Sequence, residues 1–365
     1  MLLHGIFPPI TTPFYPDGSV CFQKLAHNVE RYSRTPAAGL LVLGSTGEAV
    51  LLSDAERHEV LKSAREAAAA HQVLIAGTGM ESAAETLRLT EYAAGLGYDV
   101  ALVRTPHFYR DQMNRPDNML AFYRFVADRS PLPVLIYNFP QVTGYDIPAE
   151  IVIELAEHPN VAGIKESGGS VAKVQRMVEG TRHVRRTVLV TADFRALTPR
   201  MLQSQQAAAH TGDIVPAGGL QSSAAAVSAK AGFSPSKPKA GLLGTPLKTR
   251  QKEAGFQVVV GFAQKFPESL QAGAVGGVLA FADAAPMAMF EVYAAWKDGD
   301  MELARQKQQR VAAAAARIAG ELSIPGVKYA CDLNGYYGGP VRLPLLALTA
   351  DLRSEVEGLM GNIKS

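Results

Sequence analysis

Residues 39–48 have the sequence Gly-Leu-Leu-Val-Leu-Gly-Ser-Thr-Gly-Glu, and the fold of the chain is predicted from this pattern and its repeats. A short, unbroken apolar run that ends in a Gly-rich turn is typical of a buried parallel strand. Ser53 and Glu56 follow, and a serine three positions before a glutamate is the sequence of a helix capping box. The stretch therefore predicts a strand, a turn and then a helix.

The same strand-and-helix pattern recurs along the chain, and Ser82 with Glu85 repeats the capping pair. Eight strands are predicted, at residues 5–11, 39–43, 73–77, 100–104, 134–137, 163–165, 256–260 and 277–281. Eight such units favour a (β/α)8 or TIM barrel of the α/β class over an open, doubly wound sheet, which is the alternative. In such a barrel the catalytic groups lie at the C-terminal ends of the strands.

The predicted barrel domain spans residues 1–285, and a C-terminal helical region spans 286–365, with helices at 287–296, at 301–322 and in the closing segment. A long insertion that interrupts the barrel before strand seven is predicted at about 185–254. The prediction rests on the composition of this stretch, which is rich in Ala, Ser, Gln, Gly, Pro and Lys. We interpret it as a dispensable spacer or as sequence retained through faulty gene processing. A basic module that binds RNA or a partner is the alternative.

The net charge of +2 is distributed unevenly along the chain. Residues 185–254 contain ten Lys or Arg and three Asp or Glu, so this segment carries +7 and the rest of the chain −5. The main body therefore has no basic stripe of the kind that binds nucleic acid. Two distant cysteines predict neither a disulfide framework nor a zinc site. Without a visible leader or membrane-spanning segment, a cytoplasmic protein is expected.

Lys165 follows the apolar run 161–164, so it is expected at the rim of the predicted barrel. Partial burial disfavours the ammonium form of a lysine and leaves some free amine, which is the condition for attack on a ketone and formation of an imine. A rim lysine that forms an ion pair with an acid such as Glu166 is the alternative.

Tyr137 ends the neighbouring predicted strand, where its hydroxyl can transfer protons while a carbinolamine loses water. An ordinary strand tyrosine with its hydroxyl at the surface is the alternative. After the second strand, the hydroxyls of Ser45 and Thr46, with backbone N–H groups that Gly44 brings close, can hold a carboxylate. A common strand-to-helix turn is the alternative there.

Together these segments resemble the dihydrodipicolinate synthase and N-acetylneuraminate lyase family of pyruvate-dependent class I aldolases. The resemblance covers nearly all of the chain outside the insertion. It rests on residues 5–14 (Gly-Ile-Phe-Pro-Pro-Ile-Thr-Thr-Pro-Phe), 44–48, 137–140 (Tyr-Asn-Phe-Pro), 163–167 (Gly-Ile-Lys-Glu-Ser) and 276–278 (Gly-Gly-Val). It implies a barrel with C-terminal helices, no metal or organic cofactor, a small 2-oxo acid as substrate, and a homotetramer built as a dimer of dimers.

The resemblance also implies roles for individual residues. Lys165 matches the lysine that forms the Schiff base, and Tyr137 matches the proton-relay tyrosine. Ser45 and Thr46 match the paired hydroxyl residues that hold the pyruvate carboxylate and assist proton transfer. The backbone around Leu279 matches the strand that closes the pocket.

Three further positions bear on the substrate. Val142 stands where dihydrodipicolinate synthases have an arginine for the carboxylate of the second substrate, and valine cannot replace that bidentate clamp. Phe108 stands where those enzymes send a tyrosine across the dimer interface, and Tyr109 is a candidate substitute. Ser167 is expected either to hydrogen-bond the substrate or to terminate the strand.

Residues 324–328 (Ile-Pro-Gly-Val-Lys) and 332–340 (Asp-Leu-Asn-Gly-Tyr-Tyr-Gly-Gly-Pro) resemble the 4-hydroxy-2-oxoglutarate aldolase subgroup. The resemblance implies cleavage of 4-hydroxy-2-oxoglutarate to pyruvate and glyoxylate. Three alternatives stay open: dihydrodipicolinate synthesis from pyruvate and aspartate semialdehyde, another sugar-acid 2-oxo aldolase or dehydratase, and a barrel that binds a 2-oxo acid without turning it over.

Overall fold

The computed structural model describes residues 3–191 and 249–363. Within this part of the chain, eight strands form one parallel sheet. We number them β1 to β8: Gly5–Ile6, Gly39–Val42, Val73–Gly77, Val100–Arg104, Val134–Asn138, Val161–Glu166, Gln257–Val260 and Gly276–Gly277.

The sheet closes on itself. Its strands follow the order β1-β8-β7-β6-β5-β4-β3-β2. Hydrogen bonds then join the two remaining edges, since the Ala38 N–H donates to the Ile6 carbonyl at 2.9 Å and the Leu41 N–H donates to the Pro8 carbonyl at 3.0 Å. The predicted eight-stranded barrel is therefore confirmed, and the open-sheet alternative is wrong.

Two strands are much shorter than predicted. The first strand ends at Ile6 because Pro8 and Pro9 follow, and proline has no N–H to donate to a sheet ladder. The last strand is Gly276–Gly277, whereas residues 277–281 were predicted; Phe281 already begins a short helix, Phe281–Ala284. A short apolar run does not by itself distinguish a buried strand from a buried turn and helix.

Both predicted capping serines begin helices. Ser53 Oγ accepts from the Glu56 N–H at 3.2 Å, and Glu56 Oε2 accepts from the Ser53 N–H at 2.8 Å, which completes a capping box. Ser82 Oγ accepts from the Glu85 N–H at 3.1 Å. The helices up to β7 are Phe22–Ser33, Asp54–Ala67, Ala83–Leu96, Arg110–Met113, Pro116–Arg129, Pro140–Thr143, Ala149–Ala156 and Val171–Gly180, with a 3-10 turn at Ala49–Leu51.

The rest of the described chain is mainly helical, as predicted for its C-terminal region. Its helices are Phe266–Gln271, Phe281–Ala284, Pro286–Lys297, Met301–Ala314, Ser323–Leu333 and Ala350–Met360. The predicted single helix at 301–322 is divided, because a π-helix, Ala315–Glu321, continues from Met301–Ala314. No helix in the described ranges is long and apolar enough to cross a membrane.

The ends of the predicted insertion form a separate two-stranded sheet of Arg186–Thr191 and Thr249–Ala254. Residues 187–191 therefore do not supply the seventh barrel strand, and Gln257–Val260 does, as predicted. The remaining residues of the predicted insertion, 192–248, lie outside the described residues.

Side chains alternate between two buried clusters along the barrel strands. One cluster joins the strands to the surrounding helices. The other contains no residue from a helix and fills the barrel interior; its members include Phe7, Leu41, Leu135, Tyr137 and Val259. Tyr137 thus belongs to the barrel interior, near the C-terminal end of its strand.

Candidate active site

Lys165 and Tyr137 lie side by side at the C-terminal ends of β6 and β5. They are direct partners in the register of the two strands. Both are buried, with 4% and 5% of their surfaces exposed. The Lys165 Nζ lies 4.2 Å from the centroid of the Tyr137 ring, within the range in which an aromatic face attracts a cation.

The turn after β2 reaches the same place. Ser45 Oγ lies 3.3 Å from the Tyr137 hydroxyl, and either atom can be the donor of this hydrogen bond. The Thr12 hydroxyl donates to the Gly47 carbonyl at 2.6 Å and so attaches the turn to the segment that follows β1. An added Cβ at Gly47 would lie 2.9 Å from the Ile10 carbonyl oxygen, so the close approach requires glycine.

A cavity of about 500 Å³ opens at this end of the barrel. Five of the predicted site residues line it: Ser45, Thr46, Tyr137, Lys165 and Ser167. A volume of this size is typical of a site for a small molecule. The structure therefore brings the amine, the phenol and the two neighbouring hydroxyl residues together around one space.

Four predicted site residues do not line this cavity. Gly44 lies just before Ser45, and Leu279 is fully buried in the core while its neighbours Val278 and Ala280 line the cavity. Phe108 and Tyr109 are exposed by 76% and 73%, and their rings pack edge to face with centroids 5.2 Å apart.

Sequence reasoning missed Gly261, which directly follows β7. A Cβ added there would lie 1.9 Å from Ser167 Oγ and 3.2 Å from Lys165 Cε. Its N–H donates to the Glu166 carbonyl at 2.8 Å. Glycine is therefore needed so that β7 can approach Lys165 and Ser167. The position directly after a predicted strand was the available indication.

The C-terminal helices also contribute to the cavity. Ala315 and Ala319 of the π-helix line it, as do Ile324 and Val327 of Ser323–Leu333. The sequence predicted these segments only as a helical appendage. π-Helical turns recur at functional sites, where they change the direction of a helix face.

The alternative interpretation of this segment was an ion pair between Lys165 and an acid such as Glu166. Glu166 does not form that ion pair. Its carboxylate lies 3.1 Å from Lys173 Nζ and accepts hydrogen bonds from the Asn138 side chain at 2.9 and 3.0 Å. It also accepts from the Gly168 N–H at 2.5 Å. The negative charge beside Lys165 in the sequence is thus neutralised on the opposite face of the strand.

The positive charge of Lys165 acts on a different acid, Asp283, which is fully buried. Burial raises the pKa of the Asp283 carboxyl well above its ordinary value, and the positive charge of Lys165 opposes that rise. Neither carboxyl oxygen has a hydrogen-bond partner in the described part of the chain. Burial without a hydrogen-bond partner thus favours the neutral form of this carboxyl.

The described residues contain no group of three His, Cys, Asp or Glu side chains that could hold a metal ion. The chemistry that this arrangement can perform is nucleophilic. A buried amine beside a phenol and a hydroxyl can attack a carbonyl carbon and exchange protons with the adduct, since each group lies within reach of the next.

Comparison with known proteins gives one family. The model of the Dihydrodipicolinate synthetase family matches residues 2–204 and 237–363. A 4-hydroxy-tetrahydrodipicolinate synthase from Methanothrix thermoacetophila is 27% identical over 361 residues, which is 98% of this chain and 96% of that protein. One from Stenotrophomonas maltophilia is 41% identical over 181 residues, 49% of this chain and 59% of that protein.

Solved structures give the same architecture. A chloride-inhibited dihydrodipicolinate synthase from Acinetobacter baumannii, complexed with pyruvate, matches with a TM-score of 0.74. It is 24% identical, and the match covers 99% of this chain and 98% of that one. At this identity the similarity shows the fold.

We expect Asn138→Leu to lower the free energy of unfolding by about 3 kcal/mol, because it removes partners from buried groups, one of them charged. Asn138 is fully buried; its amide donates to Asp146 and Glu166, and its Oδ1 accepts from the Ile147 N–H. Urea unfolding measures the change.

Asn118→Leu is the matched control, because Asn118 is exposed and, among the residues that the structure describes, donates only to the Gln112 carbonyl. It should change the unfolding free energy by less than about 0.5 kcal/mol, as surface substitutions usually do. Equal stability of the two variants would show that Asn138 does not hold this cluster together.

Proposed function

The chain belongs to the dihydrodipicolinate synthetase family, a family of carbon–carbon lyases, and we propose that it is a class I aldolase that acts on pyruvate-type 2-oxo acids through a Schiff base on Lys165. One observation carries the proposal: the Lys165 amine, the Tyr137 hydroxyl and the Ser45–Thr46 turn meet at one cavity.

The substrate binds through its carboxylate. The hydroxyls of Ser45 and Thr46 and the N–H groups of their turn hold the carboxylate oxygens. The 2-oxo carbon then lies next to the carboxylate and faces Lys165. Pyruvate is bound in the related structure from Acinetobacter baumannii, which supports a small 2-oxo acid as the ligand of this chain.

The first covalent step is imine formation. The neutral amine of Lys165 attacks C2 of the 2-oxo acid, and the carbonyl oxygen gains a proton to give a carbinolamine. Loss of that oxygen as water leaves a protonated imine. Tyr137 transfers the protons, and its hydrogen bond with Ser45 supplies a second hydroxyl through which they can exchange with the substrate.

Carbon–carbon cleavage follows in a 4-hydroxy-2-oxo acid. The 4-hydroxyl loses its proton, the C3–C4 bond breaks, and the electron pair of that bond moves into the imine to give an enamine. C4 leaves as an aldehyde. Protonation of the enamine at C3 and hydrolysis of the resulting imine release pyruvate and restore the Lys165 amine. The covalent lysine acts as the electron sink, so these steps use no separate cofactor.

For the reaction itself we propose cleavage of 4-hydroxy-2-oxoglutarate to pyruvate and glyoxylate. Residues 324–328 and 332–340, which resemble that subgroup, include the cavity residues Ile324 and Val327. Val142 also lines the cavity, and it stands where dihydrodipicolinate synthases carry an arginine. The second candidate is dihydrodipicolinate synthesis, which the names of the relatives favour.

We also propose a homotetramer in which the exposed rings of Phe108 and Tyr109 pack against another copy of the chain. A pair of neighbouring aromatic side chains that are about three-quarters exposed is unfavourable in water and common in subunit interfaces.

Residues 205–236 fall outside the family match, which supports our interpretation of this part of the insertion as a spacer.

Borohydride reduction in the presence of pyruvate tests the Schiff base. We expect mass spectrometry to find one reduced pyruvyl group per chain on the peptide that contains Lys165, because borohydride fixes an imine as a stable secondary amine. Lys165→Met should abolish the label, and Lys62→Met, the matched control on an exposed lysine paired with Glu59, should retain it. Label on another lysine, or none, would refute the proposal.

A substrate panel tests the proposed reaction. We expect the kcat/KM for pyruvate release from 4-hydroxy-2-oxoglutarate to be at least about 100-fold above the kcat/KM for condensation of pyruvate with aspartate semialdehyde. Condensation is the slower reaction because it lacks the bidentate contact to the carboxylate of the second substrate, a loss that costs about 3 kcal/mol. Val142→Arg should lower the ratio of the kcat/KM for cleavage to the kcat/KM for condensation. Faster condensation in the unmodified chain would favour the second candidate.

A further inference from the structure

A buried ion pair joins the turn after β2 to the C-terminal helix Ser323–Leu333. Glu48 ends the Gly-Ser-Thr-Gly-Glu turn, and Lys328 lies within the helix. Each is only 1% exposed, and Lys328 Nζ lies 2.5 Å from Glu48 Oε1. The other carboxylate oxygen, Oε2, accepts from the Arg342 N–H at 2.9 Å.

Other groups complete the surroundings of Lys328. Its Nζ donates to the Pro340 carbonyl at 2.8 Å and lies 4.3 Å from the centroid of the Phe14 ring. Burial lowers the pKa of Lys328, and the charge of Glu48 acts in the opposite direction. Within the described residues the ammonium group thus has three close partners, Glu48, the Pro340 carbonyl and the Phe14 ring, and both members of the pair are buried.

Arg342 forms a second connection between the same two parts of the chain. Its guanidinium pairs with both carboxylate oxygens of Glu56 at 2.7 and 2.8 Å. It also donates to the Leu51 carbonyl at 2.8 Å. The hydrogen bond from Arg342 lowers the pKa of Glu56 to about 2. The segment after Lys328 is therefore attached to the residues that follow the Gly-Ser-Thr-Gly-Glu turn.

The two ends of the ion pair belong to two segments that line the cavity. Ser45 and Thr46, directly before Gly47 and Glu48, line one wall. Ile324 and Val327, in the helix turn that leads to Lys328, line another. The ion pair therefore joins the two segments that supply these cavity residues.

A buried ion pair is a poor source of stability. The cost of removing two charges from water is about as large as their mutual attraction, so neutral side chains of similar size are often as stable. What such a pair provides is selection of one arrangement, because a displaced partner leaves an unpaired buried charge. Glu48 and Lys328 thus hold the turn and the helix in a single relative position.

We propose that Glu48 and Lys328 are positioning residues for the carboxylate-binding turn. Their ion pair holds Ser45 and Thr46 at the place where these residues grip the carboxylate of the 2-oxo acid. The identity of that ligand rests on the proposed function. The positioning itself rests on the burial and contacts of the pair.

The test uses the double variant Glu48→Gln/Lys328→Met. Either single substitution leaves a lone buried charge and can prevent folding, whereas the double substitution removes both charges and keeps the side-chain sizes similar. We expect a thermal midpoint close to that of the unmodified chain. The KM for the 2-oxo acid should rise about tenfold and kcat should fall by a smaller factor. Both Ser45 and Thr46 hold the carboxylate, whereas only Ser45 also takes part in proton exchange, and Lys165 and Tyr137 keep their places.

The matched control is Glu291→Gln/Lys307→Met. This pair has an Nζ–Oε2 distance of 2.9 Å, but its side chains are about one-third exposed and lie between helices Pro286–Lys297 and Met301–Ala314. It should leave KM unchanged. Amide hydrogen exchange supplies a readout that needs no substrate. The amides of residues 44–48 should exchange faster in the Glu48→Gln/Lys328→Met variant than in the control.

The outcomes separate the two proposals. An unchanged KM or unchanged exchange in the Glu48→Gln/Lys328→Met variant overturns the positioning role, even if pyruvate still labels Lys165. Absence of pyruvate label in the unmodified chain overturns the Schiff-base function. In that case the exchange of residues 44–48 alone decides the positioning role.

Discussion

The register between β5 and β6 is the constraint on which the site depends. Paired residues of two parallel strands face the same side, and the next pair faces the other. Tyr137 and Lys165 form one pair and point into the barrel, while Asn138 and Glu166 form the next and point away. A shift of β6 by one residue relative to β5 would turn Lys165 away from the barrel interior and place the Glu166 carboxylate where the amine lies.

This alternation also separates the charges. Glu166 is neutralised by Lys173 and by the Asn138 amide on the helix side of the sheet. Lys165 lies over the ring of Tyr137, and its charge acts on Asp283, a carboxyl whose pKa is raised by burial. Closure of the barrel then brings the turn after β2 to the same rim, so that hydroxyl groups from a distant segment reach Tyr137.

Much of this could be predicted from the sequence, because the signals are local. Strand ends and capping serines are recognised within a few residues. Lys165 and Tyr137 each directly follow an apolar run, and Ser45 follows one after a single glycine. The misplaced last strand shows the limit of that method, since apolar residues such as Leu279 are buried equally well in a strand, a turn or a helix.

Contacts between distant segments could not be predicted in this way. Glu48 and Lys328 are each unremarkable charged residues in their own segments, and only the fold brings them together and excludes water from both. Gly261 likewise has no special feature in its own segment, and its role becomes visible only when β6 lies beside it. In both cases the deciding quantity is a distance in space, which apolar periodicity along the chain does not encode.

A crystal structure of the chain with bound pyruvate tests the central claim most directly. The account predicts continuous electron density from Lys165 Nζ to C2 of pyruvate, with the carboxylate on the Ser45–Thr46 turn and the Tyr137 hydroxyl within hydrogen-bond distance of the new bond. Pyruvate bound without a covalent link, or bound away from Lys165, would contradict it.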